Sequence, residues 1–436
     1  MGDIMMERSY VSDVLKNKDG KKVIVKGWVQ DTRELGKIRF LLIRDLSGVM
    51  QITAVKGKVS DKTFELMSQR RENVISVEGV TKESKQAPGG VEIIPDKIEL
   101  ISESEELLPI DVSDFSKTEL PKRLDFRFLD FHRRKTQAIF KIQNEIAYAF
   151  RKHFYDKGFV EMQPPCVIGS SSEGGTDLFA VKYFEQDAYL AQSPQLYKQM
   201  LACSMEKTTM ITPVWRAEKH NTTRHINEIR QMDIEMAFAG QMDVMKHQEE
   251  CVIDIIGHVI KTCKDELKLL GVELKVPKAK YIHYDEAIKL LKKEKVPGVA
   301  DGEDLNPEAE RKLCELFPDS IVFVHSWPLS LKPFYIMPSS LRKGEKYSEG
   351  FDALYGGMEI SSGGQRIHLP ELLIERLKAK GLKPKHFESY INSFRYGAPL
   401  HAGWSIGLER MTQILCGLDN IKEATMFPRD RDRLTP

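Results

Sequence analysis

The segment GMEISSGGQRIH, residues 357–368, sets Glu359, Ser362 and Arg366 in one short apolar-flanked run that reads as buried strand. An ion pair between Glu359 and Arg366 would gain little, because taking both charges out of water is costly. The other possibility is that each charge awaits a ligand of opposite sign, a metal for the acid and a carboxylate for the base. Three further stretches hold residues suited to related chemistry. In WRAEKHNTTRH, residues 215–225, Arg216 and Glu218 stand at strand spacing and Arg224 and His225 follow a polar turn. Such a hairpin can wrap a polyphosphate, its guanidiniums binding oxygens bidentately. In GWSIGLERM, residues 403–411, Glu409 and Arg410 lie where strand gives way to helix, so that an arginine can lie flat on a nucleobase. LAQSPQLYKQ, residues 190–199, supplies Gln195 and Lys198 at the start of a helix. Taken singly, each stretch is equally an ordinary charged hairpin, a glycine-started helix or a solvated lysine.

These residues need scaffolds, and the hydrophobic pattern supplies two. From residue 21 to about 101, five short apolar or alternating runs are separated by LGK, LSG and APGG, which predicts a five-stranded barrel of the OB-fold type. An acid-then-base stretch with little periodicity follows, read as a hinge over residues 105–135. A helix is predicted from Thr136, with Gly158 as its stop. Further strands follow at 188–193, 209–218, 226–238, 320–327 and 351–363, with helices at 194–204, 241–270 and 370–379. The expected architecture is α+β: residues 1–104 as the barrel, 136–436 as an antiparallel-sheet catalytic domain flanked by helices, and 275–325 as a small surface insertion.

Composition limits the partners. The 65 lysines and arginines balance 64 acids, so a nucleic-acid partner must be met by a shaped surface rather than bulk charge. Six cysteines show no CxxC pair, which argues against a disulfide framework or zinc site and for a reducing cytoplasm. No secretion signal or membrane span is predicted. P-loop, GxGxxG and HExxH signatures are absent.

The chain resembles class II aminoacyl-tRNA synthetases, most closely the aspartyl enzymes of the archaeal and eukaryotic type, over essentially its whole length. GFVEMQPP (158–165) is similar to motif one, WRAEKHNTTRHINEI (215–229) to motif two and GWSIGLERM to motif three, with SEGGTDLF, AQSPQLYKQ and EISSGGQR in the expected order. The resemblance implies that Arg216 binds the α-phosphate and the substrate carboxylate, and that Glu218 reads adenine. Ala217, Arg224, His225, Ile226 and Glu359 would also hold ATP, with Gly407, Leu408, Glu409 and Arg410 on its other side. Arg216, Glu359 and Arg410 would be the catalytic set. Glu359 and Ser362, with Asp352 beside them, would hold magnesium, a hard cation suited to oxygen ligands. Lys198 and Arg366 would take the aspartate side chain, Glu173 and Asp233 its ammonium group, and Gln195 and Ser362 would complete the pocket, with His401 closing over it. Ile229 departs from the pattern, since many class II enzymes stack a phenylalanine on adenine there; His225 and Arg410 would take that part.

For the barrel, the resemblance implies anticodon binding, with Phe40 stacking on a base and Arg33, Gln51 and Glu78 reading edges. It further implies tRNA(Asp) as partner, tRNA(Asn) as a possible second depending on contacts near Gln30, Glu78 and Pro88, and a homodimer. Phe40 reads equally as a barrel-core aromatic. Two other readings stand beside the aspartyl one. An asparaginyl enzyme or asparagine synthetase on the same fold is disfavoured by Lys198 or by the barrel, and a nucleic-acid-binding protein without activity by the joint presence of Arg216, Glu359, Arg366 and Arg410.

Overall fold

The computed structural model describes residues 7–16, 19–169, 178–219, 221–342 and 344–436. The chain divides into two compact units, Met1–Pro109 and Ile110–Pro436. In the first unit, β1 (Lys22–Leu35), β2 (Ile38–Asp45), β3 (Gly48–Val55), β4 (Val74–Glu83) and β5 (Val91–Ser102) close a barrel in the order β1-β2-β3-β5-β4. Period-two alternation turns Val23, Val25, Val29, Leu41, Ile43, Ile52 and Ile75 inward as its core. Phe40 is not among them. It is half-buried beside Leu41, and its cross-strand partners are Arg33 and Thr53.

The second unit opens with a correction. From Ile110 on, the stretch expected as a hinge belongs to this unit, and Arg127, Asp130 and Arg133 within it are buried and paired rather than solvated. Asp130 accepts from Arg123 at 2.8 Å and also from Arg127, while Arg127 Nε donates to the Met426 carbonyl at 2.9 Å. An acid–base run without periodicity therefore marks an internal ion network anchored to the C-terminal segment.

Beyond it come helix α1 (Arg134–Asp156), β6 (Val160–Glu161), and a small sheet of β7 (Val167–Ile168), β8 (Ala180–Tyr183) and β9 (Gln186–Leu190). Helix α2 (Gln195–Met205), β10 (Lys207–Trp215), β11 (Glu228–Ala237) and helix α3 (Gln241–Thr262) follow. Next are β12 (Lys278–His283), α4 (Tyr284–Lys293), α5 (Pro307–Leu316), β13 (Ser320–His325), β14 (Gly350–Tyr355), β15 (Met358–Arg366), α6 (Pro370–Ala379), β16 (His401–Gly407) and α7 (Leu408–Leu415). Eight strands make the main sheet, in the order β12-β13-β14-β15-β16-β11-β10-β6. Residues 275–325 are thus no surface insertion: β12 and β13 pair in parallel, and β13 pairs with β14 at the end of the sheet. Their connection carries α4 and α5, as a parallel crossover requires.

Alternation along β11 and β16 sorts the sheet into two faces. Met232, Ile234, Trp404 and Ile406 pack with α1, α3 and α7 in the large core. Asp233, Glu235, Ser405 and Gly403 fall on the opposite face, in cross-strand register as Asp233–Ser405 and Glu235–Gly403. Helices α4 and α5 cover the β12–β14 end of that polar face through Ile288, Leu291, Ala309 and Leu313, packed with Val322, Val324 and Leu354.

Candidate active site

The polar face of β11, β15 and β16 holds two adjoining subsites. The first is a pocket lined by Arg216, Glu218, Arg224, His225, Ile226, Glu359, Ser362, Gly407, Glu409 and Arg410, gathering residues that lie up to two hundred positions apart in the chain. Arg216 and Glu218 lie just past β10, in the loop to β11 rather than on a strand. Asn227 shapes that loop: its amide donates to the Arg216 and Glu218 carbonyls at 2.7 and 3.0 Å. The Arg216 guanidinium has no partner among the described residues. Burial lowers the His225 pKa although Glu218 lies 3.9 Å away, which keeps the ring neutral and apt for stacking. Ile229 lines the same pocket as His225 and Arg410.

A bulge in β15 brings Glu359 and Ser362 together. Residues three apart on a regular strand point to opposite faces, but Glu359 pairs with Leu354 and Ser361 with Ala353, leaving Ile360 as the extra residue. Glu359 and Ser362 consequently share the polar face, the first half-buried and the second exposed. Among the described residues no group of three or more His, Cys, Asp or Glu side chains could hold a metal. Two oxygen donors do fit magnesium, which uses one or two carboxylates and takes its remaining ligands from phosphates and water. Asp352 does stand beside them, across the strand pair from Ser362 and hydrogen-bonded to it, while Lys332 Nζ donates to its Oδ2 at 2.6 Å. Burial still pushes the Asp352 carboxyl up to about 6, against the pull of Lys332.

Motif-three residues divide by direction. Arg410 Nη1 donates to the Glu359 carbonyl at 2.8 Å and lies 3.5 Å from its carboxylate. Glu409 turns inward, where its carboxylate accepts from the Arg230 amide at 3.1 and 3.0 Å, and burial pushes it up to about 7. Leu408 packs into the large core, which leaves only its backbone toward the pocket. Ala217 is half-buried and not part of the pocket wall.

The second subsite is a buried charge constellation. Lys198, 1% exposed, donates to Asp233 Oδ2 at 2.9 Å and lies 3.6 Å from Glu235. Arg366, 3% exposed, donates through Nε and Nη2 to the two Glu235 oxygens at 2.9 and 3.2 Å. This corrects the expectation that Arg366 awaits its only partner in a ligand: Glu235 already holds it, and Arg366 Nη1 is the atom left without a hydrogen bond among the described residues. Burial pushes the Glu235 carboxyl up, but Arg366 and Lys198 together outweigh it and hold the group below the usual carboxylate range. Asp233 Oδ1 is buried with no partner among the described residues, a bare acceptor facing the constellation. Gly403 is required beneath it, because a Cβ there would stand 2.3 Å from Glu235 Oε2 and 2.2 Å from the Ile234 carbonyl.

A neutral network backs this subsite. Gln195 Nε2 donates to Gln199 Oε1 at 2.8 Å, Tyr390 donates to the same oxygen at 2.8 Å, and Gln199 Nε2 lies 2.9 Å from His401 Nε2. His401 does not close over the pocket. It is buried in β16 opposite Arg366, its Nδ1 lies 2.9 Å from the Pro399 carbonyl, and burial lowers its pKa. Glu173 lies outside the described residues. Glu235, Gln231, Asn227 and Gln199 were missed in the sequence; the alternation Gln231-Met232-Asp233-Ile234-Glu235 was the available signal.

On the barrel, Arg33 and Phe40 are cross-strand neighbours, and Gln51 Nε2 donates to Glu92 at 3.0 Å and Thr53 at 3.2 Å. Glu78 pairs across its strand with Ile24 and Lys97, not with the other three.

Known proteins match both units. Residues 119–431 match the family model of tRNA synthetases class II (D, K and N), and residues 23–101 that of the OB-fold nucleic acid binding domain. The chain is 44% identical to the aspartate–tRNA(Asp/Asn) ligase of Methanopyrus kandleri, over 99% of this chain and 100% of the relative. It is 43% identical to the aspartate–tRNA(Asp) ligase of Pyrococcus horikoshii, again over 99% and 100%. Among solved structures, the asparaginyl-tRNA synthetase of P. horikoshii with asparaginyl-adenylate superposes with a TM-score of 0.92 at 34% identity, covering 99% of this chain and 100% of that one. The aspartyl-tRNA synthetase of Entamoeba histolytica gives 0.87 at 30%, covering 100% and 94%.

Proposed function

We propose, from the premise that the chain belongs to the class II tRNA synthetases of the D, K and N group, that it is an aspartate–tRNA ligase: it activates L-aspartate with ATP and transfers it to the 3′ end of tRNA(Asp). The observation that carries the amino-acid assignment is the buried Lys198–Asp233–Glu235–Arg366 set, which has no net charge as it stands. An aspartate whose ammonium meets Asp233 Oδ1 and whose side-chain carboxylate meets Lys198 and Arg366 Nη1 keeps the subsite neutral. Asparagine would leave one positive charge uncompensated among buried side chains, the situation that supports about 10⁴-fold discrimination.

Arg216, without a partner among the described residues, receives the substrate α-carboxylate and the ATP α-phosphate and holds them in line. The carboxylate oxygen forms a bond to the α-phosphorus as the bond to the bridging oxygen breaks and pyrophosphate leaves. No general base is needed, because the nucleophile is already anionic. Arg410, His225 and Ile229 enclose the adenine, Glu218 reads its edge, and Arg224 meets the polyphosphate tail. Glu359 and Ser362 are the residues to hold magnesium, which when bound neutralises phosphate charge. The terminal ribose hydroxyl of tRNA then attacks the aspartyl carbonyl and AMP departs.

The barrel is assigned to the anticodon through Phe40, Arg33, Gln51 and Glu78. A homodimer is proposed through the motif-one strand β6, an edge of the main sheet beside an apolar groove containing Met162, Tyr197 and Met205. No helix among the described residues is long and apolar enough to cross a membrane. Pyrophosphate exchange into ATP, with aspartate or asparagine and without tRNA, tests the assignment: exchange with asparagine, or none, overturns it. A second reading, charging of tRNA(Asn) as well, is favoured by the name of the M. kandleri relative. Against it stands exposed Pro88, whose nitrogen offers no donor to a base. Aminoacylation of the two tRNAs separately decides between them.

A further inference from the structure

The acid that meets Arg224 comes from the crossover helix, outside every segment whose motifs pointed to the site. Asn306 starts α5 by accepting from the Glu308 and Ala309 amides at 3.0 and 2.9 Å. Ala309 and Leu313 are fully buried, which fixes the rotation of the helix and aims Glu310 at β15 and the pocket rim. There Glu310 Oε2 lies 3.5 Å from Arg224 Nη1 and accepts from the Glu359 amide at 3.4 Å. The Arg224 guanidinium has no other partner among the described residues. It stands in the loop between β10 and β11, outside regular structure, so this one contact decides where the side chain rests.

We propose that Glu310 is a positioning residue for nucleotide capture: it holds Arg224 at the rim and yields it to the polyphosphate, setting the cost of ATP binding without touching ATP. The inference rests on the ATP reading of the pocket. The tether has the weakness an exchange needs, being a single long contact between groups that are 26% and 16% exposed. A bidentate buried pair would lock the arginine instead. Once Arg224 has moved to phosphate, Glu310 is left beside Glu359 with only Arg410, which Glu359 shares, as a nearby cation, so the exchange opposes binding. AMP has no β- or γ-phosphate and does not engage the exchange.

The test is calorimetric titration of α,β-methylene-ATP and of AMP, with magnesium chloride, into wild type, Glu310→Gln, Arg224→Ala and the double variant. Glu310→Gln is expected to tighten the triphosphate about threefold, the worth of a partly exposed pair, and to leave AMP affinity unchanged. In the Arg224→Ala background the gain disappears. Unchanged or weaker triphosphate binding by Glu310→Gln overturns the proposal, as does a gain that persists in full without Arg224, which would be plain charge repulsion. Glu310→Ser, which also removes the charge, gives the same comparison should the glutamine variant fold poorly. Wild type that binds neither nucleotide would instead overturn the ATP reading itself.

Discussion

Arg366→Ala tests the buried constellation from both of its sides, stability and substrate. The guanidinium makes two contacts to Glu235, at 2.9 and 3.2 Å, and both side chains are almost wholly withdrawn from water. Truncation strands Glu235 with Lys198 at 3.6 Å as its nearest remaining cation. Removing one partner of a buried pair costs about 3–5 kcal/mol, and Lys198 sets the expectation at the lower end. The aspartate carboxylate also loses a charged hydrogen bond, about 1.5–3 kcal/mol, or roughly ten- to a hundredfold in affinity. Two measurements separate these effects: urea unfolding followed by tryptophan fluorescence, and aspartate-dependent pyrophosphate exchange below saturation. Adding Glu235→Ala to Arg366→Ala removes the stranded charge, so stability should recover by about 2 kcal/mol while exchange does not. A double variant no more stable than the single one, or near-normal exchange by Arg366→Ala, would refute the reasoning.

Glu359→Gln should raise the magnesium concentration for half-maximal exchange by at least about tenfold, and an unchanged magnesium titration would exclude Glu359 as a ligand. Burial holds Glu409 up at about 7 against an ordinary 4.5, so the folded state binds this proton more tightly than the unfolded one. Its effect on stability is therefore most favourable below the ordinary value and declines as pH rises to about 7, by up to about 3 kcal/mol. Glu409→Gln should flatten that slope, and unfolding curves between those pH values that stay parallel to wild type would contradict it. Phe40→Ala should raise the KM for tRNA about tenfold, as loss of one stacked base does, without altering exchange measured in the absence of tRNA. Equal loss in both assays would move Phe40 from base stacking to barrel integrity.

The elements most legible in the sequence were those whose pattern is local. Five apolar or alternating runs with turn residues between them became the closed barrel, and the run at 370–379 is helix α6 with those bounds. Segment 105–135 misled because its charges look solvated, yet Asp130 gathers Arg123 and Arg127 away from water. Segment 275–325 misled because lysine-rich amphipathic helices resemble surface, while the parallel pairing of β12 with β13 has no local signature. In the site, Glu359 and Ser362 were found by type, but three-residue spacing on a strand would have separated them without the bulge at Ile360.

The sequence by itself determined the repertoire: which cations, acids and glycines are available, which lie on strands, and, through alternation, which share a face. Only the tertiary structure decided their partners. Glu235 and Arg366 are separated by 131 positions, and Arg224 meets Glu310 from a helix inside a crossover. Period two assigns a side chain to a face but not to a neighbour; neighbours follow from strand order and register, which long-range packing of the whole sheet selects.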